Sequence, residues 1–246
     1  MTFVLIHGGG STARFWDRLV PHVERAGRRA LAVDLPGRNG KPADLATLSV
    51  GDEVAAVLRD IDTAAEVTGP IVIVAHSSAG LVVPGVVAGL GERVAHVVLS
   101  AALVPEEGGC GIDCMKPRHR EGLVASVEAA RRDGSVITLP GPPADPEAFR
   151  NAYGGEPLDD DTLAYMVDPV RCVPDTVHHY FQPVHWSLAA RVPVTYLLNT
   201  RDRPVPSETQ EQMVKRIPRP PRVVRLDTGH VPAVTHPDDF AELLLS

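Results

Sequence analysis

Residues 71–80 read IVIVAHSSAG. The run Ile71-Val72-Ile73-Val74 has the continuous β-branched character of a buried strand, and Leu81, Val82 and Val83 continue into an apolar helix. Between them stand two adjacent serines, at a strand-to-helix turn where the positive end of the helix dipole would face an exposed hydroxyl. Such a turn is sharp and strained, so side chains two positions either side of the presented residue must be small. For Ser77 those positions hold Ala75 and Ala79; for Ser78 they hold His76 and Gly80. The imidazole is the worse fit, so Ser77 is the expected nucleophile. Ser78 then contributes its backbone N–H, and its hydroxyl need not react. An ordinary strand–turn–helix with exposed serines is the plain alternative.

Outward from this segment the chain alternates strands and helices. Residues 2–6, 30–33, 71–74, 94–99, 194–198 and 223–226 each read as buried parallel strands. Amphipathic stretches lie between them, such as Val54, Val57, Leu58 and Ile61 at i, i+3, i+4 and i+7. This pattern predicts an α/β fold with a mostly parallel sheet of about six strands flanked by helices. The rhythm lapses between residues 103 and 188, where the Pro-rich LPGPPADP (from Leu139), short helices and an aromatic–His cluster intervene. The expected organisation is a single domain with core segments 1–102 and 189–246 and a mainly helical inserted cap over 103–188. Asp159-Asp160-Asp161 reads as a helix start, with acids at the positive end of the dipole.

Composition narrows the function. A chain of 246 residues with 44% hydrophobic and 22% charged content is long enough for one sizeable domain. No apolar run approaches a membrane span, and MTFVLIH lacks the basic start of a signal peptide, so a soluble, cytoplasmic protein is expected. The formal charge of -7 gives no footprint for nucleic acid. The basic runs Lys116–Arg120 and Lys215–Arg225 read as solvated surface, although the first, if it lies in the cap, would favour an acidic acyl group. Three cysteines, Cys110, Cys114 and Cys172, form neither a paired framework nor a zinc site and read as reduced structural thiols.

The first strand ends in His7-Gly8-Gly9-Gly10-Ser11-Thr12-Ala13 and leads into the helical pattern Phe15, Trp16, Leu19, Val20, Val23. Taken alone, Gly8-x-Gly10-x-x-Ala13 with Asp34 after the next strand matches a dinucleotide fingerprint. A short-chain dehydrogenase would also need Tyr-x-x-x-Lys, but Tyr153, Tyr165, Tyr180 and Tyr196 are followed four residues on by Pro157, Pro169, Val184 and Thr200. In the rival reading the glycines let backbone N–H groups approach a substrate oxyanion.

FVLIHGGG, Trp16, AVDLPG, VAHSSAG, NTRDRPVP and DTGHVP together resemble the α/β-hydrolase superfamily, particularly its small capped esterases and hydroxynitrile lyases. The resemblance spans the core, and the cap matches only in position. The usual Gly-His-Ser-x-Gly-Gly here reads Ala75-His76-Ser77-Ser78-Ala79-Gly80. It implies a chain order of Ser, acid, His, with the last two on loops after the last two strands. Asp202 and His230 fill those places; Asp227, just upstream of the histidine, is the weaker candidate acid. The resemblance also implies an oxyanion hole from the N–H groups of Gly9 and Ser78. Gly8 borders the expected substrate pocket, and His179, Tyr180 and Trp186 either line it or stitch cap to core. His22, His96, His119 and His236 are expected at the surface or at helix ends, and His76 as a packing neighbour of the elbow.

The leading expectation is a serine esterase using neither cofactor nor metal, with a small-molecule carboxylic ester, thioester or lactone as its partner. A C–C lyase of hydroxynitrile-lyase type is the alternative. In those lyases a threonine follows the strand-end histidine and a lysine follows the catalytic one, whereas Gly8 and Val231 stand here. A non-catalytic binding protein on the same scaffold is a third reading.

Overall fold

The computed structural model describes residues 1–65 and 67–246. Four strands come first: β1 (Thr2–Ile6), β2 (Arg29–Val33), β3 (Ile71–His76) and β4 (Val94–Ser100). After β5 (Thr138–Leu139) and β6 (Asp175–Thr176) the chain returns to β7 (Val194–Asn199) and β8 (Arg222–Leu226). β5 and β6 pair antiparallel in a ribbon of their own; the other six form one all-parallel sheet in the order β2-β1-β3-β4-β7-β8.

The central strands read as unbroken apolar runs because both faces are covered. Val4, Ile6, Ile71, Ile73, Ala75, Val97 and Leu99 enter one core, and Phe3, Leu5, Val72, Val74, Val98 and Leu197 enter the other. The outer strands depart from the sequence expectation: Arg29 and Val223 are exposed and most of β2 and β8 is only partly covered. They are the two sheet edges, each with a neighbour on one side only.

The helices are α1 (Val20–Arg25), α2 (Val50–Thr63), α3 (Val83–Leu90), α4 (Pro117–Asp133), α5 (Pro146–Tyr153), α6 (Asp160–Val167), α7 (Ser207–Val214), α8 (Pro232–Thr235) and α9 (Pro237–Leu245). Residues of α2, α3 and α7 pack into the first core; those of α1, α8 and α9 pack into the second. α2 opens with a capping box, in which the Ser49 hydroxyl accepts from the Asp52 amide at 3.1 Å and the Asp52 carboxylate accepts from the Ser49 amide at 3.0 Å. At the expected start of α6, Asp159 accepts from the Thr162 amide at 2.7 Å. Between β4 and β7 lie α4, α5, α6 and the small ribbon, so the segment expected as a mainly helical cap carries a sheet element that the sequence pattern did not foretell. Among the described residues no helix is long and apolar enough to cross a membrane.

This topology positions the site. From β1 the chain moves outward to β2 and then returns to β3 on the opposite side of β1. The loops leaving the carboxyl ends of β1 and β3 therefore diverge and leave a crevice between them, at the switch point where open parallel sheets bind ligands.

Candidate active site

Ser77 begins the turn after β3 in a left-handed conformation, φ +54°. A non-glycine residue held there costs on the order of 1–3 kcal/mol, which the surroundings must offset. Leu103 donates its amide to the Ser77 carbonyl at 2.9 Å, and Ala75 and Ala79 are fully buried on either side. At Gly80 an added Cβ would lie 2.2 Å from the Leu103 carbonyl oxygen, so only glycine lets the backbones approach this closely.

His230, on the loop after β8, reaches back to the elbow. Its Nδ1–H donates to Asp202 Oδ2 at 2.7 Å, and its Nε2 lies 3.2 Å from Ser77 Oγ. Both His230 and Asp202 side chains are buried. Asp202 Oδ1 also accepts the Val205 amide at 2.8 Å, which fixes the carboxylate plane. Asp227 stands apart: it is 71% exposed and paired with Arg201. His76 braces the ring from behind, donating Nε2–H to the His230 carbonyl at 2.8 Å and stacking on Phe15. Burial, together with the neighbouring His230, holds the His76 pKa well below its usual value, so its ring is neutral.

Two supports of this arrangement were not visible in the sequence motifs. Gln210 on α7 accepts from the Asn199 amide at 3.0 Å and donates to the carbonyls of Asn199 and Val205 at 3.1 and 2.7 Å, bracketing the Asp202 loop. His7 donates Nδ1–H to the Gly8 carbonyl at 2.8 Å and accepts the Leu35 amide at Nε2, 3.2 Å. That bonding requires a neutral ring, and burial pushes the His7 pKa down to about 4, with Arg38 acting the same way.

The glycine loop presses against the elbow. A Cβ on Gly8 would lie 2.8 Å from Ser77 Cβ, and one on Gly9 would lie 2.9 Å from the Tyr180 hydroxyl and 3.2 Å from Ser78 Oγ. Gly10, at φ +65°, turns the chain and donates its amide to Asp175 Oδ2 at 2.8 Å. Asp34 accepts the Ala13 amide at 2.7 Å and faces Asn39 Nδ2, so its carboxylate holds the loop itself.

A cavity of about 970 Å³ opens over these groups, bordered by Gly8, Gly9, Ser77, Tyr180, Asp202 and His230. Apolar walls come from Leu103, Met115, Leu139, Met166, Val205 and Val231. Two residues expected at this pocket lie elsewhere. His179 is buried behind the wall, where its Nδ1 meets the Glu53 carboxylate at 3.1 Å, and Trp186 is buried in the core against α3. The short turns carrying them point Tyr180 toward the cavity and turn these two rings inward. His119 is exposed, as expected, and lies at the cavity wall with Lys116 and Arg203. Cys114 and Cys172 also border the cavity, but burial raises their pKa values to about 12 and about 11, so neither is a thiolate near neutrality.

The profile of the alpha/beta hydrolase family matches residues 3–243. The chain belongs to that family. Among its relatives is the esterase PIR7B of Oryza sativa subsp. japonica, 30% identical over 67% of this chain and 64% of the rice protein. A pyrethroid hydrolase of Sphingobium wenxiniae is 25% identical over 98% of this chain and 85% of its own length. In three dimensions, an extracellular α/β-hydrolase from a Paenibacillus species superposes with a TM-score of 0.81 at 20% identity, covering 100% of this chain and 98% of that one. Within the family's architecture, the Ser77 elbow, the Asp202 loop and the His230 loop come from the ends of β3, β7 and β8.

Proposed function

We propose that this family member is a serine hydrolase that cleaves a small carboxylic ester, thioester or lactone through an acyl-enzyme on Ser77. The observation that carries the reading is the chain of contacts from Ser77 Oγ through His230 to the buried Asp202, at the floor of a largely apolar cavity. Relatives named as an esterase and a pyrethroid hydrolase support the ester class.

In this mechanism His230 Nε2 takes the Ser77 proton as Oγ attacks the carbonyl carbon. Asp202 holds Nδ1–H in place and stabilises the imidazolium. The tetrahedral oxygen receives hydrogen bonds from the N–H groups of Gly9 and Ser78, a role supported by the close packing of the glycine loop on the elbow. As the bond to the leaving oxygen breaks, His230 returns the proton to it. Water then attacks the acyl carbon, gives its proton to His230, and the Ser77 oxygen departs and recovers that proton. The segment 103–188 serves as the cap that closes the cavity and sets selectivity.

Lys116, His119 and Arg203 at the cavity wall favour esters bearing an acidic group. Asp175 and Asp202, the carboxylates that border the same cavity among the described residues, are both committed to internal hydrogen bonds. For the lyase alternative, the position after His230 holds the apolar Val231, buried at the cavity, where a cation would be wanted. That arrangement favours hydrolysis.

The test is fluorophosphonate labelling with peptide mapping on wild type, Ser77→Ala and Ser78→Ala, alongside a panel of short acyl esters. Labelling and turnover lost only in Ser77→Ala are the expected outcome. An inert wild type that binds a ligand tightly would replace the enzyme with a binding protein, and cyanohydrin cleavage would favour the lyase.

A further inference from the structure

Behind the glycine loop lies a group of charged side chains that the triad does not use. Arg38 and Asp175 form an ion pair with side-chain exposures of 0% and 2%; His179 and Glu53 form another at 1% and 0%. Burying four ionisable groups is costly unless charge and hydrogen bonds close among them. Here they do. Arg38 also donates to the carbonyls of Ser11 at 3.2 Å and Pro36 at 2.6 Å. Burial opposes the Asp175 carboxylate, but His179 and Arg38 outweigh it and hold its pKa below the usual range. Burial likewise disfavours the His179 cation, but the Glu53 carboxylate outweighs that and raises its pKa. The fold thus sets the Arg38 guanidinium against Asp175 and the His179 ring against Glu53.

Glu53, Asp175 and His179 offer ligand atoms within 4.8 Å of one another, a spacing compatible with a metal ion. Arg38, bound directly to Asp175, would stand against such a cation, so the group is better described as a charge network.

Its members come from two parts of the chain. Arg38 follows β2 and Glu53 lies on α2, both in the core, whereas Asp175 on β6 and His179 belong to the inserted segment. Asp175 uses its second oxygen to take the Gly10 amide, and Gly10 returns its carbonyl to the Val173 amide at 3.0 Å. Gly10 is one residue from the Gly9 N–H, and the Gly9 Cα position is packed between Asp175, Tyr180 and Ser78. A shift of Asp175 would be felt at the Gly9 amide.

We infer that Asp175 is a positioning residue for the oxyanion hole, held by the Arg38, His179 and Glu53 charge network, so that seating of the inserted segment on the core sets where the Gly9 amide points. The inference rests on the serine-hydrolase reading above. Asp175 borders the cavity, but both its oxygens are held by Gly10, Thr176 and Arg38, so its loss acts through the loop and is expected to show itself in the transition state more than in ground-state binding.

The test compares wild type with Asp175→Asn, His179→Gln and Glu53→Gln on an oxygen ester and on the thionoester with the same groups. A well-placed oxyanion hole discriminates against the larger, weakly accepting sulfur, and a loosened one discriminates less. Expected in Asp175→Asn is a kcat for the oxygen ester lower by on the order of 10- to 100-fold, with KM within about threefold. The ester-to-thionoester ratio of kcat/KM should fall with it. His179→Gln and Glu53→Gln should shift the ratio in the same direction by smaller factors. If Asp175→Asn does not fold, these two variants decide the matter. A ratio unchanged in every folded variant, even with lower activity on both substrates, would overturn the inference and leave the network a stability feature. A wild type that neither turns over esters nor takes the fluorophosphonate label would instead sink the hydrolase reading, and with it this one.

Discussion

Asp202 Oδ2 receives the Nδ1–H of His230 at 2.7 Å, with both side chains closed to solvent. The pairing fixes one tautomer of the ring and turns Nε2 toward Ser77. Asp227, three residues before the same histidine, spends its charge on Arg201 in water. Asp202→Asn should therefore lower kcat by about 10⁴-fold, as expected when the orienting carboxylate is lost and the wrong tautomer results. Asp227→Asn should stay within about twofold, since exposed ion pairs contribute little. Steady-state kinetics on one ester decides this, and a large loss in Asp227→Asn with none in Asp202→Asn would reverse the assignment of the acid.

Gln210 meets three backbone groups of the Asp202 loop from inside the protein. Gln210→Leu removes its bonds to the Asn199 amide and the Val205 carbonyl, while the Asn199 carbonyl keeps the Asp202 amide at 3.4 Å, and each buried unpaired group costs about 1–3 kcal/mol. A net loss of roughly 2 kcal/mol or more in urea unfolding is expected. A lower kcat should accompany it, because the carboxylate that orients His230 loses its frame. An unchanged unfolding midpoint would show that the loop holds itself.

Acid should weaken the fold before it reaches the range where ordinary carboxylates titrate. His7 is held near a pKa of about 4 in the folded chain and returns to about 6.5 when unfolded. Between those values the unfolded chain binds more protons, so stability falls as the pH drops through this window. His76, lowered in the same way by burial, adds to the slope. The raised pKa of His179 acts at the other end: its contribution is complete below the unfolded value and is lost only as the pH rises through the folded one. Urea midpoints should decline from pH 7 to pH 5, and His7→Asn, which keeps a donor and an acceptor, should flatten the decline. A midpoint that rises on acidification would contradict the neutral-ring assignment.

Lys116, just before α4, donates to the Arg203 carbonyl, joining the segment between β4 and β7 to the residue after Asp202. With His119 these residues give the cavity wall a positive edge. Esters carrying a distal carboxylate should show a lower KM than neutral esters of equal length. Lys116→Gln or Arg203→Gln should raise that KM by about 3- to 10-fold, the scale of roughly 1 kcal/mol for one partly exposed charge. The neutral ester should be unaffected, and about 0.5 M salt should erase most of the preference. Equal KM values for the two esters in wild type would remove the acidic-substrate preference.

At Gly80 the fold leaves no room for a side chain. The 2.2 Å approach of an added Cβ to the Leu103 carbonyl involves backbone on both sides, so no rotamer can relieve it. Gly80→Ala should displace the elbow, lowering both thermal midpoint and fluorophosphonate labelling rate. A variant with wild-type labelling would show that the residue 103 backbone can yield.

The sequence by itself determined the parallel sheet, because strands covered on both faces must be apolar throughout, and IVIVAH and VTYLLN carry that in their composition. Small flanking residues singled out Ser77, and the resemblance to the α/β-hydrolase superfamily implied Asp202 and His230 on the loops after the last two strands. Local pattern could not show that β2 and β8 are edges, which depends on strand order alone. Nor could it distinguish the directions of His179, Tyr180 and Trp186: neighbouring residues of short turns face opposite ways, and only packing against α2 and α3 selects which ring meets the cavity. One signal was present and carried weight only in retrospect: Glu53 shares the inward face of α2 with Val57 and Ile61, and a charge on an apolar face needs a partner. That partner is His179, 126 residues away. The charge network exists only where tertiary structure brings core and inserted segment together, because a carboxylate, an imidazole and a guanidinium far apart in sequence acquire their meaning from mutual desolvation.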